Sequence, residues 1–271
     1  MCIRDRYNSG VGVYFEMEYS GNYLEDVRIV EVEPIGEGFV IIEGFPDVGL
    51  VGTIAASFLT DKLQMKEVGY IESDALPPII SVRNGKVLDL VRLYSRDNIV
   101  VLLSEIPIPL PIIKPLSQKI IDWAISKKAK MIVSLTGMPE PARLNIDIPK
   151  VYVLGSNEKV SQNALSIDGV EAFTDGYITG VKGMILRESI KRDFDALLIL
   201  SQAHFNYPDP GSAAEILRYL SKLLSISIDV KPLLESAEEL KLRLRDLMRR
   251  TSQAMQDVQK SRELELPAVY L

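Results

Sequence analysis

Short aliphatic runs recur along the chain and are separated by glycine, proline and charged residues. Continuous runs of this length read as strands covered on both faces, and period-two stretches read as half-covered ones. The pattern predicts strands at Val27–Val32, Phe39–Glu43, Val68–Ile71, Ile99–Leu103, Met131–Leu135, Val151–Leu154 and Ala196–Ser201. The first two are joined tightly through Pro34-Ile35-Gly36. Ile79–Arg83 and Lys86–Leu93 flank Asn84-Gly85, a pair that supplies the two positive φ angles of a type I′ hairpin turn.

Helical periodicity fills the gaps. Helices are predicted from the glycine-rich turn after Glu43 to about Leu63, from about Leu116 to Ser126, from Glu158 to Leu165 with Ser156 as N-cap, to Lys191, and from Pro208-Asp209-Pro210-Gly211-Ser212 to Leu224. In the last of these Asp209 or Ser212 supplies the cap. Strands alternating with helices, most of them aliphatic throughout, give a three-layer α/β sandwich with a mostly parallel sheet.

The pattern changes after residue 230. Leu233, Ala237, Leu240, Leu244, Leu247, Thr251, Ala254 and Val258 follow alternating steps of four and three, with charged residues between them. This is a heptad seam on a long helix, packed either on its own domain or on a partner helix. Leu240, Leu244, Leu247 and Val258 are the candidate packing or oligomer-forming positions. The expected organisation is a non-native or disordered extension at 1–16, an α/β domain at 17–230, an amphipathic helix at 231–263 and a flexible tail at 264–271. Met1 to Arg6 reads as a translated adapter end, so the native start is expected at Met17.

Charge and composition narrow the chemistry. The chain has 271 residues and a net charge of -6, which gives no electrostatic invitation to nucleic acid or to an anionic membrane. The apolar run Ile99–Ile113 is broken by Glu105 and three prolines, so no membrane span is expected, and with no signal pattern the location is read as cytoplasmic. One cysteine, Cys2, and one histidine, His204, leave no basis for a zinc site, an intramolecular disulfide or a Ser-His-Asp mechanism. No cofactor is expected. A magnesium site using Asp47 and Glu105 has nothing in the sequence to pair its ligands. Trp123 sits mid-helix among aliphatic residues and reads as core.

Two stretches carry candidate binding chemistry. Glu43 to Gly52 has the strand, glycine turn and helix layout of an anion loop, with Gly44, Asp47, Gly49 and Gly52 as candidate ligand residues. No Gly-Lys-Ser/Thr follows, and the simpler account is a turn whose glycines let the helix pack on the sheet. The second stretch is Val269-Tyr270-Leu271, an apolar end after a charged helix. It either folds back on its own core or inserts into another protein's pocket, where its carboxylate is captured.

Together, Glu43-Gly44-Phe45-Pro46-Asp47-Val48-Gly49-Leu50-Val51-Gly52, Ile178-Thr179-Gly180-Val181-Lys182-Gly183-Met184 and Tyr207-Pro208-Asp209-Pro210-Gly211-Ser212-Ala213-Ala214 resemble the proteasome assembly chaperone 2 family, in particular its archaeal members. The resemblance spans Val27 to Leu271. It implies a fold like that of nucleoside phosphorylases without a catalytic role, a homo-oligomer, and binding to proteasome α subunits. It also implies that Val269, Tyr270 and Leu271 form a hydrophobic-tyrosine-any-residue tail that docks between neighbouring subunits of the α ring. The task would be assembly of the ring or its ATP-independent activation. The competing reading is a nucleoside- or phosphate-binding enzyme of phosphorylase-like fold, using the glycine turn and the strand ends near His204.

Overall fold

The computed structural model describes residues 26–265, with side chains described to residue 257. Strands β1 (Arg28–Glu31), β2 (Val40–Gly44), β3 (Lys66–Glu72), β6 (Val91–Arg96), β7 (Ile99–Ser104), β8 (Met131–Pro139), β9 (Val151–Gly155), β10 (Glu171–Ala172) and β11 (Ala196–Ala203) form one sheet in the order β1-β3-β6-β7-β2-β8-β11-β9-β10. The centre β7-β2-β8-β11 is parallel. Both flanks turn antiparallel: β6, β3 and β1 on one side, and β9 against β11 on the other. The expected mostly parallel sheet is therefore a mixed one with a parallel core. The antiparallel wing is assembled by hairpin-like neighbours such as β6 and β7, which need no crossover helix.

Helices cover both faces. Helices α1 (Val51–Lys62), α3 (Glu158–Leu165) and α5 (Pro210–Leu224) enclose one core with Ile42, Val101, Val133 and Ile199 of the sheet. Helices α2 (Ile113–Ser126) and α4 (Gly180–Lys191) enclose the other with Ile41, Val100, Leu102 and Ile132. Neighbouring residues of one strand feed opposite cores, which is why the central strands are aliphatic throughout.

Three details differ from the sequence reading. The Asn84-Gly85 hairpin exists as β4 (Ser81–Arg83) and β5 (Lys86–Leu88), but it forms its own two-stranded ribbon and the chain breaks before entering β6. Asn157, not Ser156, caps α3 by accepting from the Val160 amide at 2.9 Å. The Ser156 hydroxyl instead bridges Phe194 and Ala196 across to β11. Asp209 caps α5 as expected.

The segment after residue 230 is the third. It is two helices, α6 (Lys231–Glu235) and α7 (Ala237–Glu265), parted at Ser236. Leu233, Leu247 and Met248 are buried in the first core, and Leu240, Leu244 and Met255 pack against it. Met248 and Met255 widen the seam beyond strict heptad spacing, giving the broad apolar stripe of a helix that lies on its own domain. Leu240, Leu244 and Leu247 thus face inward, while the side chain of Val258 lies outside the described residues.

Candidate functional site

The parallel arrangement puts the C-terminal ends of β2, β7, β8 and β11 on one edge, where α/β proteins bind ligands. A cavity of about 370 Å³ lies there. Phe45, Ile108, Phe173, Leu200, Phe205 and Met255 are among its apolar walls. Thr251, Ala254 and Met255 of α7 line it as well, so the last helix forms part of its enclosure.

Its polar lining includes Asp47, Thr136 and Lys182, and Lys182 is tied in turn to the buried Glu43. Glu43, near the end of β2, is fully buried, and Lys182, in the first turn of α4, is 4% exposed. The Lys182 ammonium lies 3.2 Å from Glu43 Oε1 and 3.1 Å from Asp47 Oδ2, and donates to the Phe45 carbonyl at 3.0 Å. Thr136 of β8 donates its hydroxyl to Asp47 Oδ2. Two carboxylates therefore share one ammonium, and two carboxylate oxygens, Glu43 Oε2 and Asp47 Oδ1, are buried with no partner.

This geometry sets the proton affinities. Burial pushes Asp47 upward, Lys182 and Thr136 pull it down, Glu43 pushes it up again, and the net result is about 6 against an ordinary 3.8. Burial works against the Lys182 charge, but Asp47 and Glu43 outweigh it and hold that ammonium above the usual lysine value.

The glycine turn behaves as a packing device. A Cβ on Gly44 would lie 2.3 Å from that of Ala56, and one on Gly52 would lie 2.1 Å from the Leu135 carbonyl oxygen. Gly49 takes φ +62 against the His204 carbonyl. Among Gly44, Asp47, Gly49 and Gly52, only Asp47 lines the cavity. His204 sits outside it. Its amide donates to Asp209 at 3.1 Å, and its ring is held below the ordinary histidine value, first by burial and then by Arg143 and Lys241.

Glu105 does not join Asp47. It is tied to Ser81, Arg83 and Arg92, and among the described residues no group of acidic, His and Cys side chains could hold a metal. Trp123 is core, with its indole donating to Glu31 at 2.9 Å. Among the described residues no helix is long and apolar enough to cross a membrane. Val269, Tyr270 and Leu271 lie outside the described residues.

Sequence reasoning missed Lys182, Glu43 and Thr136 as a unit. The available signal was a glutamate inside the aliphatic run Val40-Ile41-Ile42-Glu43 and a lysine inside a glycine-flanked apolar turn. A charge in such a place requires a partner.

Fold and site define an α/β protein with an apolar pocket over a buried ion cluster. Residues 41–248 match the PAC2 family, and the chain belongs to it. PbaA of Pyrococcus furiosus, an archaeal homolog of proteasome-assembly chaperone, is 30% identical, superimposes with a TM-score of 0.80, and is matched over 84% of this chain and 99% of its own. PbaB of the same organism, an archaeal proteasome activator, is 24% identical with a TM-score of 0.70, over 82% of this chain and 98% of its own; it bears on the fold alone. An uncharacterized protein of Methanocaldococcus jannaschii is 28% identical over 225 residues, 83% of this chain and 92% of the relative.

Proposed function

We propose that this protein is a proteasome assembly chaperone or ATP-independent activator that binds α subunits of the α ring through Val269-Tyr270-Leu271. The observation that carries the reading is membership of the PAC2 family together with near-complete coverage of PbaA at 30% identity. The course of α7 supports it. The helix continues to Glu265, six residues before the last residue of the sequence, and so leads directly into the tail segment.

In this reading the protein acts in the cytoplasm as a homo-oligomer without catalytic step or cofactor, with residues 17–263 as the scaffold and 264–271 as the docking tail. A tripeptide anchor is weak alone, and several anchors on one oligomer gain by making each later docking intramolecular. The test is capture of purified α-subunit rings by the full chain and by a chain lacking Val269-Tyr270-Leu271. Capture by the full chain and at least tenfold weaker capture by the shortened one is expected, a change of about 1.4 kcal/mol. Equal capture by both forms would remove the tail from the proposal.

The phosphorylase-like enzyme has the cavity at the strand ends in its favour. The charge of that cavity opposes it, because its lysine is already shared between two carboxylates. A thermal-shift screen with inorganic phosphate, nucleosides and nucleotides tests this reading, and a shift with any of them would revive it.

A further inference from the structure

We infer that the cavity over Asp47 is a binding site for a small organic cation, a primary amine carried on an apolar body about the size of one ring. Three observations converge on that chemistry.

The first is charge. Two carboxyl groups, Glu43 and Asp47, are set against a single ammonium, Lys182, so acidic groups outnumber basic ones here. The three donor directions of Lys182 are taken by Glu43, Asp47 and the Phe45 carbonyl. A phosphate or carboxylate entering the cavity would meet no free ammonium and a surplus of acidic groups. A second ammonium would even the numbers.

The second is the set of unpartnered polar atoms. Asp47 Oδ1 and Thr251 Oγ1 are buried without a partner, and both residues line this one cavity from opposite elements. Thr251 is 1% exposed, on a helix that otherwise turns apolar side chains inward. Buried polar atoms are normally paired, and those that are not point to something missing. A carboxylate oxygen accepts only and a hydroxyl can accept, so the missing group is a donor.

The third is the walls. The cavity volume lies in the lower range of small-molecule sites, and most of its walls are aliphatic or aromatic. Phe45, Phe173 and Phe205 contribute aromatic rings to the lining, and such rings can favour an organic cation over a neutral molecule of the same shape.

The probe is 2-phenylethylamine, compared with 2-phenylethanol and 3-phenylpropionate, on the full chain at pH 8 by calorimetry and thermal unfolding. The amine is expected to bind one-to-one and raise Tm, the alcohol to bind about tenfold or more weakly, and the carboxylate not to bind. Lowering the pH to 5 is expected to weaken the amine, as Asp47, faced by Lys182 from α4, Glu43 from β2 and Thr136 from β8, takes up a proton.

Asp47→Asn should weaken the amine about tenfold or more. Ala254→Phe, which places a ring in the space under α7, should abolish binding in a protein with unchanged circular dichroism. It decides the matter if the Asp47 variant fails to fold. Absence of heat and Tm shift with millimolar amine, equal binding of amine and carboxylate, or undiminished binding by Ala254→Phe would each overturn the proposal.

Discussion

Two buried ion clusters among the described residues, both at the same edge of the sheet, are built to opposite standards. In the first, Arg143 meets Asp209 with two bonds, Nε to Oδ2 at 2.8 Å and Nη2 to Oδ1 at 3.1 Å. Its Nη1 donates to the Ile146 carbonyl at 2.6 Å, and Asp209 also accepts from the Ser212 and His204 amides. Charge is balanced one to one. In the second, Lys182 is outnumbered by Glu43 and Asp47, and two carboxylate oxygens go unpartnered. The first cluster clasps the start of α5 to the loop after β8. The second borders a cavity. A satisfied cluster is complete as architecture, whereas an unsatisfied one keeps hydrogen-bonding capacity to spare.

The difference can be broken most forcefully at Arg143. Arg143→Met should cost about 3–5 kcal/mol in denaturant unfolding, because it strands a buried carboxylate. A cost below about 1 kcal/mol would mean that the clasp is dispensable.

Asp47→Asn should do the reverse. The folded state raises the Asp47 proton affinity from 3.8 to about 6, so the folded protein binds more protons than the unfolded chain between those values. The Asp47 contribution is therefore fully present below about pH 4 and is lost as the pH rises through 6. The variant should gain on the order of 1–3 kcal/mol over the wild type at pH 8 and lose that advantage near pH 4. Parallel pH profiles for the two proteins would sink the argument.

The smallest contrast compares two hydroxyls. Ser212 Oγ donates to the Gln202 carbonyl and accepts from Arg143 Nε at 3.3 Å, whereas Thr251 Oγ1 has no partner. Ser212→Ala should cost about 1 kcal/mol, and Thr251→Val should be neutral or slightly stabilising. Equal costs would erase the distinction between the clusters.

Much of the scaffold was legible because it depends on local rules. The aliphatic runs marked the central strands, Asn84-Gly85 marked its turn, and Asp209 marked the start of α5. The antiparallel wing was not legible, since β3 and β6 do not differ in pattern from parallel strands and direction is decided by pairing. Ser156 failed as a cap because the fold offered its hydroxyl partners on β11. The floor of the cavity was harder still. Glu43 and Lys182 stand 139 residues apart and meet only once α4 lies on the sheet. Asp47 was singled out for the turn it occupies, and its neighbours Gly44, Gly49 and Gly52 proved to serve close packing. The heptad spacing left the packing of the last helix open, and in the structure Leu247 and Met248 are buried in the first core of the same chain, with Leu240, Leu244 and Met255 packed against it.

Helix α7 has a mechanical consequence. Met255 is the last of its described side chains to pack on the core, and the backbone stays helical to Glu265. Ten residues at 1.5 Å each put Glu265 about 15 Å further along the helix axis. Thr251, Ala254 and Met255 also line the cavity. A tilt of about 10° at these residues would displace Glu265 by roughly 2.6 Å, close to two residues of helical rise. A change in how the cavity is filled that tilted the helix would thereby be magnified along its length.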